Sequence, residues 1–258
     1  MVDLTLSLLA GDQDSPTLLV VGPSLGTDVS LLWTRAAGCL RDVEVVGWDL
    51  PGHGRSAPTT TSYAIADLAD EVRARTADLA HGRPATYAGV SLGGAVGFVL
   101  ATRPGPFGAV TTLASAPRLG EPAGWHERAA VVRASGTAAM VEASAGRWFA
   151  PGFLDHDPAT GAVHLEALRE VDDESYALAC EALAGFDERA TLSTVAVPLF
   201  VVAGEHDPVV TPDQARAAAA AVPGARFEVL PGVAHLPPAE APGATADLLT
   251  TQLLQEPT

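Results

Sequence analysis

The sequence contains no lysine. All 15 of its basic residues are arginines, they stand against 31 acidic residues, and the formal net charge is −16. The absence of lysine excludes Schiff-base chemistry and a serine–lysine dyad. So large an excess of negative charge argues against nucleic acids, anionic membranes and polyanionic substrates, because each of them would be repelled. We therefore expect neither a nucleic acid nor a membrane as a partner.

Cysteines and long apolar runs are also scarce. The two cysteines, Cys39 and Cys180, are far apart and form no C-x-x-C pair, so we interpret both as buried thiols in a reducing cytoplasm. The first residues lack the basic stretch of a signal peptide, and no apolar run approaches the roughly 18 residues that a membrane helix needs. These features predict a cytoplasmic protein, and they leave open whether it forms a homo-oligomer.

Short apolar runs that alternate with helical periodicity are the main pattern of the chain. This alternation predicts an α/β fold, in which helices cover both faces of a mostly parallel sheet. The segment 117–190 has helical periodicity and no valine-rich run, so we predict a helical cap there, inserted into a core formed by 1–116 and 191–258. The predicted strands are 2–8 (an edge strand), 17–21, 43–48, 85–90, 108–113, 197–202 and 226–230, and the predicted core helices include 63–79, 212–221 and 242–254.

The most informative motif is Gly-Val-Ser-Leu-Gly at residues 89–93, which lies between a predicted strand and a predicted helix. A serine in so sharp a turn exposes its hydroxyl above the sheet, and we expect glycine two residues to either side because a side chain there would clash with it. The helix that follows offers free N–H groups and a positive dipole end to a developing oxyanion. The motif predicts Ser91 as a nucleophile, with a chance serine in a glycine-rich turn as the alternative.

A serine hydroxyl needs a base, and the base needs a third group to hold its tautomer. Asp207 follows the predicted strand 197–202, and His235 follows the strand 226–230. The carboxyl ends of parallel strands are where open α/β sheets build their sites. The chain order Ser91, Asp207, His235 is that of the nucleophile-elbow hydrolases, and it predicts a catalytic triad.

Each member of this triad has an alternative interpretation. Asp207 precedes Pro208, so it could simply initiate a turn. Glu205 is a second acid in the same loop, and His235 could be a packed core histidine. The occurrence of all three features in the required order favours the triad.

An oxyanion hole needs two backbone donors. We assign one to the N–H group of Leu92, directly after the serine. The other should come from the loop 22–28 after the second predicted strand, and we assign it to Leu25.

No metal or cofactor is expected. His206 lies beside Glu205 and Asp207, but the chain has no zinc-binding spacing of the H-E-x-x-H type. A dinucleotide fingerprint, a P-loop and a flavin signature are also missing. His53 lies in a tight loop after a strand, where a structural role is favoured over a catalytic one.

At these residues the chain resembles the α/β-hydrolase superfamily and, within it, the 3-oxoadipate enol-lactonases of the β-ketoadipate pathway. The core motifs point only to the superfamily, whereas the cap motifs are more specific because cap residues shape the pocket. The core motifs are Ser-Leu-Gly-Thr-Asp at 24–28, Gly-His-Gly-Arg-Ser at 52–56 and Gly-Val-Ser-Leu-Gly-Gly at 89–94. The cap motifs are Trp-His-Glu-Arg-Ala-Ala-Val-Val-Arg at 125–133, Arg-Trp-Phe-Ala-Pro-Gly-Phe at 147–153 and Tyr-Ala-Leu-Ala-Cys-Glu-Ala-Leu at 176–183.

The chain departs from the family near the oxyanion loop. Pro23 stands where the family usually has asparagine, Leu50 and Pro51 replace the usual Thr-Arg, and the segment 25–33 is one residue longer than usual. These departures bear on substrate preference.

The resemblance implies hydrolysis of a small anionic enol-lactone to 3-oxoadipate, without a cofactor. An anionic substrate needs a local positive patch on this acidic chain, and arginine binds a carboxylate through two parallel hydrogen bonds. We predict that Arg128 and Arg147 bind the substrate and that Trp125 and Trp148 form an apolar wall. The alternative for each arginine, and for the third candidate Arg133, is solvation or a partner among the cap acids.

Three rival functions remain on the same fold. The first is a carboxylesterase or C–C bond hydrolase with the same triad. The second is a cofactor-free, haloperoxidase-like perhydrolase. The third is a ligand-binding homologue in which the triad is retained but idle.

Overall fold

A computed structural model of the chain describes residues 2–253, and within them seven strands form one mostly parallel sheet. The spatial order is β1-β3-β2-β4-β5-β6-β7, in which β1 runs antiparallel to β3 and every other neighbouring pair is parallel. The strands are β1 (Leu6–Ala10), β2 (Thr17–Gly22), β3 (Val43–Trp48), β4 (Ala85–Val90), β5 (Phe107–Leu113), β6 (Leu199–Gly204) and β7 (Arg226–Leu230).

Helices occupy most of the connections between these strands. The helices of the sheet layer are α1 (Val29–Ala37), α2 (Ile65–Ala80), α3 (Leu92–Thr102), α9 (Pro212–Ala220), α10 (Pro237–Glu240) and α11 (Pro242–Leu253). Five further α-helices and two short 3-10 helices (Thr137–Met140 and Leu192–Thr194) lie between β5 and β6. The α-helices are α4 (Pro122–Ser135), α5 (Val141–Trp148), α6 (Phe153–His156), α7 (Pro158–Glu170) and α8 (Asp173–Ala184). Residue 254, the predicted end of the last helix, lies outside the described residues.

The strands inside the sheet are mostly buried. Every residue of β3 and β6 is buried, and so is all of β2 after its first residue. Such burial follows when helices cover both faces of a parallel sheet, which explains the continuous apolar runs in the sequence. The predicted α/β-hydrolase fold class is confirmed, and the segment between β5 and β6 is helical as predicted.

Three predicted strands begin at the wrong residue: β5 begins one residue early, at Phe107, and β6 and β1 begin later than predicted, for identifiable reasons. β6 begins at Leu199 instead of residue 197, because Pro198 has no N–H group for the ladder and only its carbonyl oxygen takes part, accepting from Val110 N at 3.0 Å. β1 begins at Leu6 instead of residue 2, because the N–H group of Thr5 donates to Ser56 Oγ at 2.8 Å rather than to a strand. β1 nevertheless lies at an edge of the sheet, as predicted.

The cysteine prediction is half right. Cys180 is buried in α8, but Cys39 is exposed, because it follows the end of α1 at Gly38, beyond the face of that helix that packs on the sheet. Among residues 2–253, no helix combines the length and the apolar character that crossing a bilayer requires.

Candidate active site

Ser91 lies in the turn between β4 and α3 with a strained backbone. Its φ is 54° and its ψ is −110°, a conformation that a residue with a side chain rarely adopts. Surrounding hydrogen bonds hold the turn. The Ser91 N–H group donates to Leu113 O at 2.9 Å, and the Ser91 carbonyl accepts from Ser115 Oγ and from Ala95 N, each at 2.8 Å. The hydroxyl is therefore carried on a fixed turn, as the glycine-rich motif predicts.

The two glycines that flank Ser91 are required, but not for the reason expected from the sequence. A Cβ atom at Gly89 would lie 2.2 Å from Gly93 O, and one at Gly93 would lie 2.7 Å from Pro23 O. The clash is therefore with backbone and not with the serine side chain. Because Gly93 N also donates to Pro23 O at 2.8 Å, the turn is joined directly to the loop after β2.

Asp207 and His235 meet at the carboxyl ends of β6 and β7. His235 Nδ1 lies 2.8 Å from Asp207 Oδ2, and the side chains are only 4% and 0% exposed. The other carboxylate oxygen of Asp207 accepts from Val209 N at 2.7 Å and from Val210 N at 3.1 Å. Asp207 thus initiates a turn and also contacts the histidine, so the two interpretations of this residue are compatible.

Glu205, the alternative acid, points elsewhere. Its side chain is half exposed, and its Oε2 accepts from Gly232 N at 2.8 Å. It also lies 3.8 Å from His206 Nε2 at the surface. The geometry therefore favours Asp207 over Glu205 as the partner of His235.

A cavity of about 250 Å³ opens beside Ser91. Its lining contains seven of the nine residues that the sequence predicts for the site, and Asp207 and Leu92 are buried outside it. Four larger cavities, of about 970, 700, 510 and 480 Å³, have no histidine in their linings, so none of them offers a histidine base for a nucleophile. The seven residues are Leu25, Ser91, Trp125, Arg128, Arg147, Trp148 and His235.

The donors predicted for the oxyanion flank the serine. Leu92 is the first residue of α3, where a helix leaves its N–H groups without an intrahelical acceptor. Leu25 lines the cavity from the loop that Gly93 N contacts through Pro23. The arrangement is compatible with two N–H groups that face one carbonyl oxygen, and the role of each residue stays a prediction.

The charges of the cavity are unusual for so acidic a chain. Neither Arg128 nor Arg147 forms an ion pair with any residue between 2 and 253. Arg133, the third cap candidate, instead pairs with Glu174 at 2.7 Å and with Glu181 at 2.5 Å. Arg133 therefore links α4 to α8, whereas Arg128 and Arg147 line the cavity.

Burial lowers the pKa of Arg147, and repulsion from Arg128 lowers it further. The cavity lining includes one acid, Glu121, which is paired with Arg118 at 2.5 Å. The site thus holds two like charges without a neutralising partner of their own, which favours an anionic ligand.

Arg128 lies between two aromatic rings. Its guanidinium carbon is 5.6 Å from the Trp125 ring centre and 5.4 Å from that of Tyr176. The Trp125 indole is itself fixed, because its Nε1 donates to Leu119 O at 2.5 Å. A cation held by two ring faces loses little rotamer freedom when it binds a carboxylate.

Sequence reasoning missed two residues that shape the site. Tyr176, quoted only as part of a family motif, is fully buried and forms one wall of the Arg128 sandwich. Glu240 accepts the backbone N–H groups of both neighbours of His235, Ala234 at 3.0 Å and Leu236 at 3.2 Å. A lone acid in an otherwise apolar stretch, residues 236–243, was the available signal for Glu240.

His53 lies outside the cavity lining. It is buried, its Nδ1 is 2.9 Å from Pro51 O, and its ring stacks on that of Tyr176. Burial lowers its pKa to about 4, so the imidazole is neutral at physiological pH. This environment is that of a packing residue. No group of three or more metal-ligating side chains occurs within residues 2–253.

Comparison with known proteins identifies the class. Residues 18–248 match the model of the alpha/beta hydrolase family, and the chain belongs to that family. The predicted resemblance to enol-lactonases and the predicted hydrolase class are also confirmed by the relatives described next.

Two of the chain's relatives come from Acinetobacter baylyi. The chain is 36% identical over 203 residues to 3-oxoadipate enol-lactonase 2, which covers 78% of this chain and 75% of that protein. It is 31% identical over 214 residues to 3-oxoadipate enol-lactonase 1, covering 80% and 77%. The crystal structure of an enol-lactonase from Burkholderia xenovorans superposes with a TM-score of 0.90 at 30% identity, over 98% of this chain and 96% of that one.

Proposed function

We propose that this chain is a serine hydrolase that opens a small enol-lactone bearing a carboxylate, namely 3-oxoadipate enol-lactone, to give 3-oxoadipate. The proposal depends on two arginines, Arg128 and Arg147, which line the same cavity as Ser91 and His235 and form no ion pair within residues 2–253. A neutral ester would gain nothing from these charges. The names of the relatives supply the particular lactone.

The reaction begins with attack of Ser91 Oγ on the lactone carbonyl carbon. His235 Nε2 accepts the hydroxyl proton, and Asp207 holds the imidazole through Nδ1, which keeps Nε2 free for this proton. The N–H groups of Leu92 and Leu25 stabilise the oxyanion that forms. The strained turn keeps the nucleophile in place, so little reorganisation accompanies the attack.

Collapse of the tetrahedral intermediate breaks the ring C–O bond. The leaving oxygen is an enolate, a good leaving group, which takes the proton from His235 and stays attached to the acyl chain. His235 then activates a water molecule that hydrolyses the acyl-enzyme, releasing a second carboxylate and regenerating Ser91. The enol tautomerises to the 3-oxo product.

In this proposal the segment 117–190 is a helical cap on a core formed by 1–116 and 191–258, and the cap recognises the substrate. Trp125 and Trp148 provide flat apolar walls, and the two arginines hold the substrate carboxylate beside the nucleophile. A cavity of about 250 Å³ suits a small lactone ring. We expect the reaction to take place in the cytoplasm, where thiols such as the exposed Cys39 stay reduced.

The test is an ultraviolet assay on the enol-lactone, generated in situ, with Ser91→Ala as the control for uncatalysed opening. The proposal expects rapid loss of the enol-lactone absorbance with the wild type only, and slower hydrolysis of a neutral p-nitrophenyl ester. Faster hydrolysis of the neutral ester would indicate a carboxylesterase. Peroxide-dependent bromination without lactone opening would indicate a perhydrolase, and tight binding without turnover a binding protein.

A further inference from the structure

Glu240 connects the segment that carries His235 to the segment that carries Trp148. Its Oε1 accepts from Ala234 N at 3.0 Å and from Leu236 N at 3.2 Å, the two neighbours of His235. Its Oε2 accepts from Ala150 N at 2.7 Å, two residues after Trp148. One carboxylate therefore holds two segments that are about 90 residues apart in the chain.

The backbone of His235 takes part in the same connection. Its N–H group donates to Trp148 O at 3.1 Å. Three successive N–H groups, those of residues 234, 235 and 236, are thus bound alternately by Glu240 and by the end of α5. The main chain on both sides of the imidazole is therefore held by hydrogen bonds. One of the acceptors is the carbonyl oxygen of Trp148, which lines the cavity.

Glu240 is a costly choice for a purely structural contact. It is largely buried, the structure gives it no arginine partner among the described residues, and it is absent from the cavity lining. Burial of a carboxylate is unfavourable unless hydrogen bonds compensate it, and here three backbone donors do so. Two of its three donors are the N–H groups of Ala234 and Leu236, the neighbours of His235, so the compensation is concentrated at the proposed base.

We propose that Glu240 is a positioning residue that couples the placement of the cap segment 148–150 to that of His235. The proposal rests on the proposed function, because it takes His235 to be the base. With the connection intact, the apolar wall at Trp148 and the imidazole keep one fixed separation across the bound substrate. A displacement of about 1 Å at either side costs up to about 100-fold in rate.

The two oxygens of Glu240 have separable tasks, which makes the proposal testable. In Glu240→Gln the single carbonyl oxygen can still accept from Ala234 N and Leu236 N, but the NH₂ group then faces Ala150 N, donor against donor. This variant releases the cap segment and keeps the histidine loop. Glu240→Ala releases both. Glu205→Gln is the matched control, because it removes an exposed carboxylate that accepts a backbone N–H, that of Gly232, from the neighbouring loop.

Two measurements on the full chain keep this proposal distinguishable from the proposed function. The first is the rate at which a small organophosphorus fluoridate labels Ser91, since this reports the serine–histidine pair without any lactone. The second is the separation of KM from kcat on the enol-lactone. If the lactone is not turned over by the wild type, the proposed function fails while the labelling comparison still tests the coupling.

We expect Glu240→Gln to raise KM about 10-fold and to leave the labelling rate within about 3-fold of the wild type, because the imidazole is still held. We expect Glu240→Ala to slow labelling by about 10- to 100-fold as well. Glu205→Gln should change neither. The coupling is refuted if Ser91 is labelled at the wild-type rate in both Glu240 variants and KM is unchanged. It is also refuted if both variants have the same labelling rate and KM as Glu205→Gln. Should Glu240→Ala not fold, the KM and labelling rate of Glu240→Gln decide the matter.

Discussion

The two carboxylate oxygens of Asp207 have different partners, and one of these oxygens contacts the imidazole of His235. Oδ1 accepts the N–H groups of Val209 and Val210, while Oδ2 lies 2.8 Å from His235 Nδ1. The turn fixes the rotation of the carboxylate, so the second oxygen is aimed before any substrate arrives. A glutamate at this position would lose this double constraint, since its longer chain would change both contacts.

The proposed triad is the first subject for mutation. Replacing Ser91, Asp207 or His235 by alanine should lower turnover by roughly 10⁴- to 10⁶-fold, because the members of a triad act as one unit. For the same reason the losses for Ser91→Ala and His235→Ala should not add in the double variant. Steady-state and single-turnover kinetics on the purified variants measure this.

Glu205→Ala is the control for this series. Its carboxylate is half exposed and contacts Gly232 N, so its loss should cost little activity. A crippling effect of Glu205→Ala together with a mild effect of Asp207→Ala would mean that the acid is wrongly assigned.

Activity should fall at low pH, because a protonated base cannot accept the proton of Ser91. The base must be a neutral imidazole in the free enzyme, so kcat/KM should decrease with falling pH along a single-proton limb. The measurement is the pH profile of kcat/KM for the wild type and for a slow His235→Gln variant. An acid limb that persists unchanged in the variant would show that another group controls it.

Substrate charge should be recognised by Arg128 and Arg147. Removal of a charge-assisted contact costs about 1.5–3 kcal/mol, so either alanine variant should lower kcat/KM for the anionic lactone by roughly 10- to 200-fold. Hydrolysis of a neutral ester of similar size should be nearly unchanged. Both substrates are to be measured on both variants.

Arg133→Ala is the matched control, because this cap arginine is paired with Glu174 and Glu181. It should leave the ratio of the two activities unchanged. Equal losses on both substrates for Arg128→Ala and Arg147→Ala would mean that these arginines only hold the cap together, and the argument for an anionic substrate would be lost.

Asp49 should make stability depend on pH in the direction opposite to that of most acids. It is fully buried, it accepts from Val29 N at 2.8 Å and from Arg55 N at 3.1 Å, and burial raises its pKa from 3.8 to about 6. Between these values the folded state binds more protons than the unfolded state. The free energy of unfolding should therefore fall by up to about 3 kcal/mol from this group as the pH rises through the window.

Asp49→Asn removes this titration. As the pH rises from about 4 to about 7, the unfolding free energy of the wild type should fall relative to that of Asp49→Asn, as measured by urea denaturation. The exposed Asp247→Asn serves as the reference for changes in net charge. Parallel pH curves for wild type and Asp49→Asn would contradict the burial argument.

Much of the fold was predictable because its signals are local. β3, β4 and β7 have the predicted bounds, since each is a short run followed directly by a turn-forming residue, Asp49, Ser91 and Pro231 respectively. β1 was misplaced because residues 2–8 alternate from the start, and the contact that decides where the strand begins, from Thr5 N to Ser56 Oγ, spans 51 residues. No local pattern reports such a contact.

The candidate site divides in the same way. Ser91, Asp207 and His235 follow strands, so their meeting at one edge of the sheet follows from topology. The contributions of Tyr176 and Glu240 depend on contacts between distant segments, Tyr176 with Arg128 and Glu240 with Ala150. Helical periodicity marks Tyr176 as a buried residue, but it cannot say which cation lies on its ring.

The unpaired arginines of the cavity have a consequence for the end of the catalytic cycle. The proposed substrate carries one carboxylate and the product carries two, so the product matches the two positive charges of Arg128 and Arg147 better than the substrate does. We therefore expect end-product inhibition, relieved by salt, and a turnover limited by dissociation once product accumulates. Net flux would then depend on how fast the next reaction consumes the dicarboxylate.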